Sequence, residues 1–187
     1  VSGQVYTSRM IRALAALARV GMGRVEEAAG VLRALADDVP DDFARVGTLC
    51  LLAQVCVEVR DPAIARSLRD QLAPYTERLA TLGTAVLLGP VSGFVGSLDQ
   101  LLGIPDPPLV RLAERRASAL GLRACALALR RRLADPSAAA LARELGISPG
   151  TPLPPTVHQQ ATLRRDGAIW RITLSDRVTH LRHQRGL

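Results

Sequence analysis

The feature that most constrains the fold is an apolar period of helical type, which runs from Gln4 to Gly146 with interruptions at glycine and proline. Leu, Ala and Val supply most of the apolar positions, and aromatic residues make up only 3% of the chain. These residues suit closely packed helices better than a β-sandwich, whose strands favour aromatic and β-branched side chains. The sequence therefore predicts a mainly α-helical chain, with eight helices joined by short turns.

Two dipeptides mark predicted helix starts. Asp61-Pro62 and Asp135-Pro136 each place an aspartate before a proline. Aspartate accepts hydrogen bonds from the first free backbone N–H groups of a helix, and proline tolerates the first helical position because it has no N–H to satisfy. We therefore expect the fourth and the eighth helix to begin at these two places.

The first two helices carry predictions about packing. Ile11, Leu14, Ala15 and Ala18 follow one another at helical spacing, which predicts that they form the buried face of the first helix. In the second helix, the small residue Ala28 predicts a position where two antiparallel helices approach closely. Such a position would tolerate no larger side chain.

The spacing of two prolines indicates a repeat. Pro40 and Pro74 each close a predicted helix and stand 34 residues apart, the length of the helix–turn–helix unit called the tetratricopeptide repeat, which this pattern resembles. We therefore expect residues 1–146 to form antiparallel helical hairpins stacked as a degenerate tetratricopeptide-like array. A helical bundle without repeats is the alternative.

The pattern changes after the helices. Residues 147–160 are rich in proline and glycine and predict a linker. Residues 168–174 alternate with a period of two after the turn Asp166-Gly167, which predicts a small three-stranded antiparallel β-meander over residues 161–187. Because three strands cannot cover the apolar face around Trp170, we expect the helical array to cover it. The alternative is a further domain that packs on the same face.

Several short segments resemble one group of proteins. Residues 72–75, 87–91 and 94–96 (Leu-Ala-Pro-Tyr, Leu-Leu-Gly-Pro-Val and Phe-Val-Gly) resemble the tetratricopeptide-like region of large bacterial signalling ATPases, especially actinobacterial adenylate-cyclase-like and LuxR-type regulators. Residues 163–170 and 181–187 resemble the strand-rich part that follows those repeats. The resemblance implies a cytoplasmic protein and a tail that begins a winged-helix-like module, truncated here. The ATPase and cyclase motifs of the group are absent from this sequence, so neither activity is implied.

Positive charge is concentrated in the second half of the chain. The net charge is −2 over residues 1–108, +5 over residues 109–150 and +4 over residues 151–187, and all the basic residues are arginine. The densest cluster is a candidate basic contact surface for an acidic protein or for nucleic-acid phosphates. Its members are Arg111, Arg115, Arg116, Arg123, Arg130, Arg131 and Arg132. No aromatic residue lies between them, so the pattern does not support binding of bases by stacking.

The residues needed for most chemistries are missing from the sequence. The chain has no lysine, which excludes a phosphate-loop lysine and a Schiff-base lysine. Cys50, Cys56 and Cys125 lack the Cys-x-x-Cys spacing of metal sites and predict buried thiols of a reducing compartment. We therefore expect no catalytic residue, cofactor or metal ion. We also expect no membrane span, because the longest apolar stretch, residues 84–95, is short and interrupted by glycine and proline.

Two functions are compatible with these features. The first is a non-enzymatic scaffold for protein–protein or interdomain contacts within a large ATP-dependent signalling or transcriptional regulator. The alternative is a DNA-binding regulatory segment that uses the basic second half and the truncated winged-helix-like tail. A further basic helix and wing after Leu187 would favour the alternative.

Overall fold

A computed structural model describes residues 3–82, 86–104, 108–147, 161–166, 169–174 and 177–182. Among these residues the chain is mainly helical. The helices are α1 (Gly3–Gly21), α2 (Val25–Leu35), α3 (Arg45–Val59), α4 (Pro62–Leu72), α5 (Val91–Leu101), α6 (Pro108–Ala119), α7 (Arg123–Arg132) and α8 (Ser137–Glu144), with a 3-10 turn over Ala73–Tyr75 after α4. The strands are β1 (Leu79–Leu82), β2 (Val86–Pro90), β3 (Ala161–Asp166), β4 (Ile169–Leu174) and β5 (Arg177–Arg182).

Each helix packs against the next one, and some also pack against the next but one. Helix α1 contacts α2 and α3, helix α3 contacts α4 and α5, and helix α5 contacts α4 and α6. Helices α6, α7 and α8 continue in series. One apolar cluster spans α1 to α5, and a smaller one spans α6 to α8.

Helix α3 is the centre of the larger cluster. Leu49, Leu52 and Cys56 are completely buried, and so are Cys50 and Val55 on the other sides of the helix. A helix that is apolar all round is stable only when neighbours cover it all round. Helices α1, α2, α4 and α5 together with strand β1 provide that cover over residues 47–53, whereas Gln54 and Val57 are only half-buried.

The buried face of α1 differs from the predicted one. Ile11 and Leu14 are 54% and 46% exposed, whereas Ala13 and Ala16 are completely buried. The prediction of the apolar face was therefore wrong. From Met10 to Ala18 every position except Arg12 is apolar, so the pattern is compatible with two faces. The small side chains of Ala13 and Ala16 let α2 and α3 approach closely, and this packing selects the second face.

The first of the two aspartate–proline pairs has the expected geometry of a helix start, whereas in the second pair Pro136 is the N-cap and precedes the first helical residue. Oδ1 of Asp61 accepts hydrogen bonds of 3.1 Å from the N–H groups of Ala63 and Ile64, and α4 begins at Pro62 as predicted. Helix α8 begins at Ser137, whose hydroxyl and N–H donate to Oδ1 of Asp135 over 2.6 and 2.8 Å. These two bonds lower the pKa of the Asp135 carboxyl.

A β-hairpin interrupts the helices between α4 and α5, where the sequence pattern predicts only helices joined by short turns. Strand β1 pairs antiparallel with β2, with an irregular register between Ala80 and Thr81. The hairpin packs on α3 at Gly47, where a Cβ atom would lie only 2.2 Å from the carbonyl oxygen of Thr81. Four to five residues per strand give too short an alternation to distinguish the hairpin from a loop by sequence.

Close packing of α5 against α6 depends on two glycines one turn apart. A Cβ atom at Gly96 would lie 2.5 Å from Cγ2 of Val110, and one at Gly93 would lie 3.2 Å from Cβ of Ala113. Val110 and Ala113 are both completely buried. The absence of side chains at Gly93 and Gly96 therefore sets how closely the two helices approach.

The chain divides into two compact units, Val1–Leu153 and Pro154–Leu187. The second unit contains an antiparallel sheet with the strand order β3-β4-β5, in which Arg171 lies opposite Arg164 on one side and His180 on the other. The predicted linker lies outside the described residues except for Ile147. The side chain of Trp170 also lies outside them, so the expected packing of Trp170 stays a prediction.

Candidate functional site

An open groove of about 300 Å³ lies between helices α3, α5 and α7 and strand β2. Several lining residues are buried, among them Ala53, Phe94 and Leu129, each less than a tenth exposed. The complete lining is Ala53, Gln54, Val57, Leu87, Leu88, Pro90, Gly93, Phe94, Ser97, Ala124, Cys125, Ala128, Leu129 and Arg132. The walls are therefore mainly apolar, as is typical of ligand and peptide sites.

Small residues on the facing helices create the groove. Ala53 on α3, Gly93 and Ser97 on α5, and Ala124 and Ala128 on α7 leave space that larger side chains would fill. Helix α7 touches α5 where Leu129 meets Gly93: a Cβ atom at Gly93 would lie 3.2 Å from Cδ2 of Leu129. The groove is thus the space left beside one close contact.

The polar group that α5 contributes to the groove, the Ser97 hydroxyl, already forms a hydrogen bond within its own helix. The Ser97 hydroxyl donates a 2.6 Å hydrogen bond to the carbonyl oxygen of Gly93. A serine bonded back to the preceding turn presents little unsatisfied polarity to the groove. This part of the site therefore favours an apolar group over a polar one.

One positive charge belongs to the groove, the guanidinium of Arg132. The side chain is exposed because the groove is open, yet the surrounding protein atoms displace part of its hydration. This desolvation lowers the pKa of Arg132, and the negative charge of Glu58 on α3 opposes that shift. The guanidinium remains charged at physiological pH, so the site combines apolar walls with one cation that could pair with a carboxylate.

The thiol of Cys125 also lines the groove, beside Gly89 of β2. A Cβ atom at Gly89 would lie 2.9 Å from Sγ of Cys125, and the φ angle of +125° at this residue strongly favours glycine. Burial raises the pKa of the Cys125 thiol, and Arg132 only partly offsets this. The thiol is therefore protonated at neutral pH, which makes it a weak nucleophile.

Of the three thiols predicted to be buried, Cys50 and Cys56 in α3 are buried, whereas Cys125 is only partly buried because it lines the groove. Burial raises the pKa of the Cys50 thiol strongly, and it raises the pKa of the Cys56 thiol to about 11. The Cys56 thiol donates to the carbonyl oxygen of Asp61 over 3.2 Å. Both thiols belong to the core, and the described residues include no cluster of three metal-ligating side chains.

The seven arginines of the candidate basic contact surface lie on two helices and are turned toward different neighbours. Arg116 forms an ion pair with Glu77 and donates to the carbonyl oxygen of Thr76. Arg123 pairs with Glu144. These ion pairs within the chain neutralise part of the positive charge of the cluster.

The remaining members of the cluster are placed as follows. Arg130 donates over 2.7 Å to Oε1 of Glu114 and over 3.1 Å to the hydroxyl of Ser118. Arg111 and Arg115 are exposed on α6, Arg131 is half-buried, and Arg132 lies in the groove. The structure therefore does not bring all seven onto one face, and a contact surface made of the exposed members stays a prediction.

A second depression lies between α6, α7 and α8. Arg123, Arg130 and Glu144 line it, together with Leu141 and several small or polar residues. Its charged groups already pair with one another or with Glu114. The groove between α3, α5 and α7 offers a ligand more apolar surface, and its cation, Arg132, is less engaged with carboxylates. It is therefore the better candidate site.

Sequence reasoning missed the groove. Its walls come from four elements spread over residues 53–132, and no local pattern links them. The only sequence signal was the frequency of small residues on α3, α5 and α7, which equally predicts close helix packing.

Comparisons of this chain with models of protein families, with curated proteins and with solved structures find no match. In the part of the chain that the structure describes, no helix has both the length and the apolar character needed to cross a membrane.

Proposed function

We propose that this chain is a non-enzymatic scaffold for protein–protein or interdomain contacts, and that the groove between α3, α5 and α7 is its binding site. The observation that carries the proposal is the groove itself, an open space of about 300 Å³ with apolar walls and one arginine. Apolar walls supply binding energy, and a single charge orients the bound segment.

The order of helix contacts supports a tetratricopeptide-like arrangement. In such an array the first helices of successive hairpins lie side by side, and their exposed faces form the binding surface. Helices α1, α3 and α5 stand in this relationship, because α3 contacts both of the others. The groove is lined by α3 and α5, two of these helices, and by α7, which would be the first helix of the next hairpin.

The array would be a degenerate one. From Val25 to Pro62, and from Pro62 to Pro108, successive second helices begin more than 34 residues apart. The β1–β2 hairpin accounts for the longer interval, since it is inserted between α4 and α5. In this interpretation the hairpin is an insertion into the repeat, and residues of β2 form part of the groove wall.

The chemistry of the groove favours binding over catalysis. Cys125, the nucleophilic side chain in its lining, has a raised pKa, and the Ser97 hydroxyl is bonded to its own helix. Among the described lining residues, no histidine or carboxylate stands beside either of them to act as a base. These features support the assignment to a binding protein.

We also propose that this chain is part of a larger regulatory protein. The resemblance of residues 72–96 and 163–187 to large bacterial signalling ATPases supports a place within a cytoplasmic signalling or transcriptional regulator. There, occupancy of the groove would control an ATPase domain elsewhere in the protein. The DNA-binding alternative receives less support, because Arg116, Arg123 and Arg130 are engaged with carboxylates of the same chain.

The experiment is a selection of peptides from a random display library on the full chain, followed by calorimetry with the selected peptides. Ala124→Trp, at an exposed position of α7, places an indole in the groove. Ala139→Trp, at an exposed position of α8 outside the groove, is the matched control. We expect the selected peptides to bind the wild type and A139W alike and to bind A124W at least about tenfold more weakly. Equal affinity for all three proteins would contradict the proposed site.

A further inference from the structure

We propose that the partner of the groove is a second copy of this chain, which inserts Phe43 into it. This inference rests on the proposed function of the groove as a protein-binding site. It adds the identity of the partner, the residue that enters the groove and the head-to-tail symmetry of the contact.

Phe43 is the most exposed large apolar residue among the described side chains. It lies in the loop between α2 and α3, and 81% of it is exposed. In a chain with so few aromatic residues, one of them is held in water instead of in the core. Exposed aromatic side chains are characteristic anchors of protein interfaces.

The loop holds Phe43 in a defined position. Oδ1 of Asp42 accepts a 2.7 Å hydrogen bond from the N–H of Ala44, and the N–H of Asp42 donates to the carbonyl oxygen of Pro40 over 3.1 Å. Arg45 at the start of α3 donates to the carbonyl oxygen of Val39. A side chain presented by a pre-organised loop loses little conformational entropy on binding.

The groove has the size and character to accept this side chain. A cavity of about 150 Å³ with apolar walls already binds benzene, and the groove measures about 300 Å³. Phe94 and Leu129 offer it an aromatic and an aliphatic surface. The remaining volume leaves room for the backbone on either side of the phenyl ring.

The charges beside the two surfaces are complementary. Asp41 and Asp42 precede Phe43, and the side chain of Asp41 is 92% exposed, with only a 4.0 Å contact to Arg45. Arg132 supplies a cation in the groove. Over longer range, residues 1–108 carry a net charge of −2 and residues 109–150 carry +5. A phenyl ring that enters the groove from an acidic loop would bring a carboxylate toward Arg132.

One copy cannot fill its own groove. Phe43 precedes the first residue of α3, whereas Ala53 and Val57 contribute to the groove from the second half of the same helix. At 1.5 Å per residue, the start of α3 and Ala53 are about 12 Å apart along the helix axis. The contact therefore joins two different surfaces of two copies, which produces rings or open chains of molecules.

Sedimentation of the full chain over a wide range of concentrations tests the inference. We expect the wild type to form dimers and larger species as its concentration rises. Phe43→Ala removes the inserted side chain, and A124W blocks the groove. Each variant should associate at least about tenfold more weakly than the wild type. Ala139→Trp should associate like the wild type.

Mixing the two defective variants is the decisive step. F43A retains an open groove, and A124W retains Phe43, so an equimolar mixture should form one-to-one dimers that cannot grow further. Arg132→Glu replaces A124W as the groove variant if the tryptophan prevents folding, as judged by circular dichroism. Mixing with F43A should restore the association of either groove variant, whereas neither groove variant should associate with itself.

Three results would overturn the inference. They are a wild type that stays monomeric at all concentrations, association that F43A does not weaken, and defective variants that do not pair on mixing. Failure of the proposed function is separately visible. If library peptides bind the groove while the chain stays monomeric, the groove binds protein segments but not a second copy.

Discussion

The Nε atom of Arg69 on α4 lies 2.5 Å from Oδ1 of Asp99 on α5, and this ion pair joins the two helices that flank the β1–β2 hairpin. The Asp99 residue is 4% exposed, whereas the Arg69 side chain is 38% exposed. The hydrogen bond and the charge of Asp99 raise the pKa of Arg69. The pair holds α5, a wall of the groove, against α4.

Removal of Arg69 should destabilise the protein. In Arg69→Ala the carboxylate of Asp99 stays buried without its partner, which we expect to lower the free energy of unfolding by about 1–3 kcal/mol. Asp70 is the matched control: it also lies near Arg69, at 3.7 Å, but its side chain is 77% exposed. Asp70→Ala should change stability by less than about 1 kcal/mol.

Urea unfolding of both variants and of R69A/D99A measures these effects. The double variant should lose less stability than the two single changes added together, because each single change leaves the other partner unpaired. If the two single effects simply add, the ion pair contributes nothing to the α4–α5 contact.

The approach of α5 to α6 predicts a cost for any side chain at Gly96. In Gly96→Ala the new methyl group would lie 2.5 Å from Cγ2 and 2.9 Å from the backbone nitrogen of Val110, so the helices would have to move apart. We expect a loss of about 1–3 kcal/mol in unfolding free energy. Gly30→Ala is the control, because nothing lies within 4 Å of a Cβ atom there.

The control should even gain stability, by up to about 1 kcal/mol, because alanine favours the helix over the unfolded chain. Thermal unfolding of G96A and G30A should therefore shift the midpoint in opposite directions. A midpoint for G96A at or above that of the wild type would show that α5 and α6 are not packed at this residue.

Burial of Cys56 predicts a dependence of stability on alkaline pH. The pKa of its thiol is raised to about 11, and that of a cysteine in an unfolded chain is about 8.5. The folded state thus keeps the proton while the unfolded chain loses it. The free energy of unfolding should therefore fall as the pH rises from about 8.5 to 11.

Urea titrations at several pH values in this window measure the effect. Cys56→Ala should show a smaller fall than the wild type, although part of the fall should remain because burial also raises the pKa of Cys50. Identical pH dependence of C56A and the wild type would mean that the Cys56 thiol is not shielded in the folded protein.

The absence of lysine predicts that this chain has no ATPase site of its own. A phosphate-binding loop needs a lysine to reach the β- and γ-phosphates, and the sequence has neither that lysine nor the loop. We expect isothermal calorimetry with Mg-ATP to show no stoichiometric binding and phosphate release assays to show no turnover. Stoichiometric binding of ATP would refute this prediction and the separation of the scaffold from the ATPase.

Local signals predicted local structure well. The start of α4 follows from Asp61 and Pro62, because the hydrogen bonds that begin this helix are made by its own neighbouring residues. Leu49, Leu52 and Cys56 stand at helical spacing and are completely buried, but Cys50 and Val55 on the other sides of α3 are equally buried. The burial of α3 therefore depends on the helices packed around it, whereas the start of α4 needs no knowledge of the rest of the chain.

Features that depend on distant residues were not predictable in the same way. Which face α1 buries is decided by Ala13 and Ala16 against other helices, not by the apolar pattern alone. The groove brings Ala53, Leu88 and Ala128 together from three separate elements. The groove exists because spaces remain between packed helices. A sequence pattern shows which side chains are apolar, but it does not show where such spaces form.

Methyl NMR spectra of the chain during titration with a library-selected peptide test the central claim most directly, that the groove between α3, α5 and α7 binds protein segments. Ala53, Ala128 and Leu129 report on the groove, and Ala140 on the second depression reports on the rest of the surface. We predict saturable shifts of the first three methyl signals with that of Ala140 unchanged. Saturable shifts confined to Ala140, with the groove methyl signals unchanged, would contradict the claim.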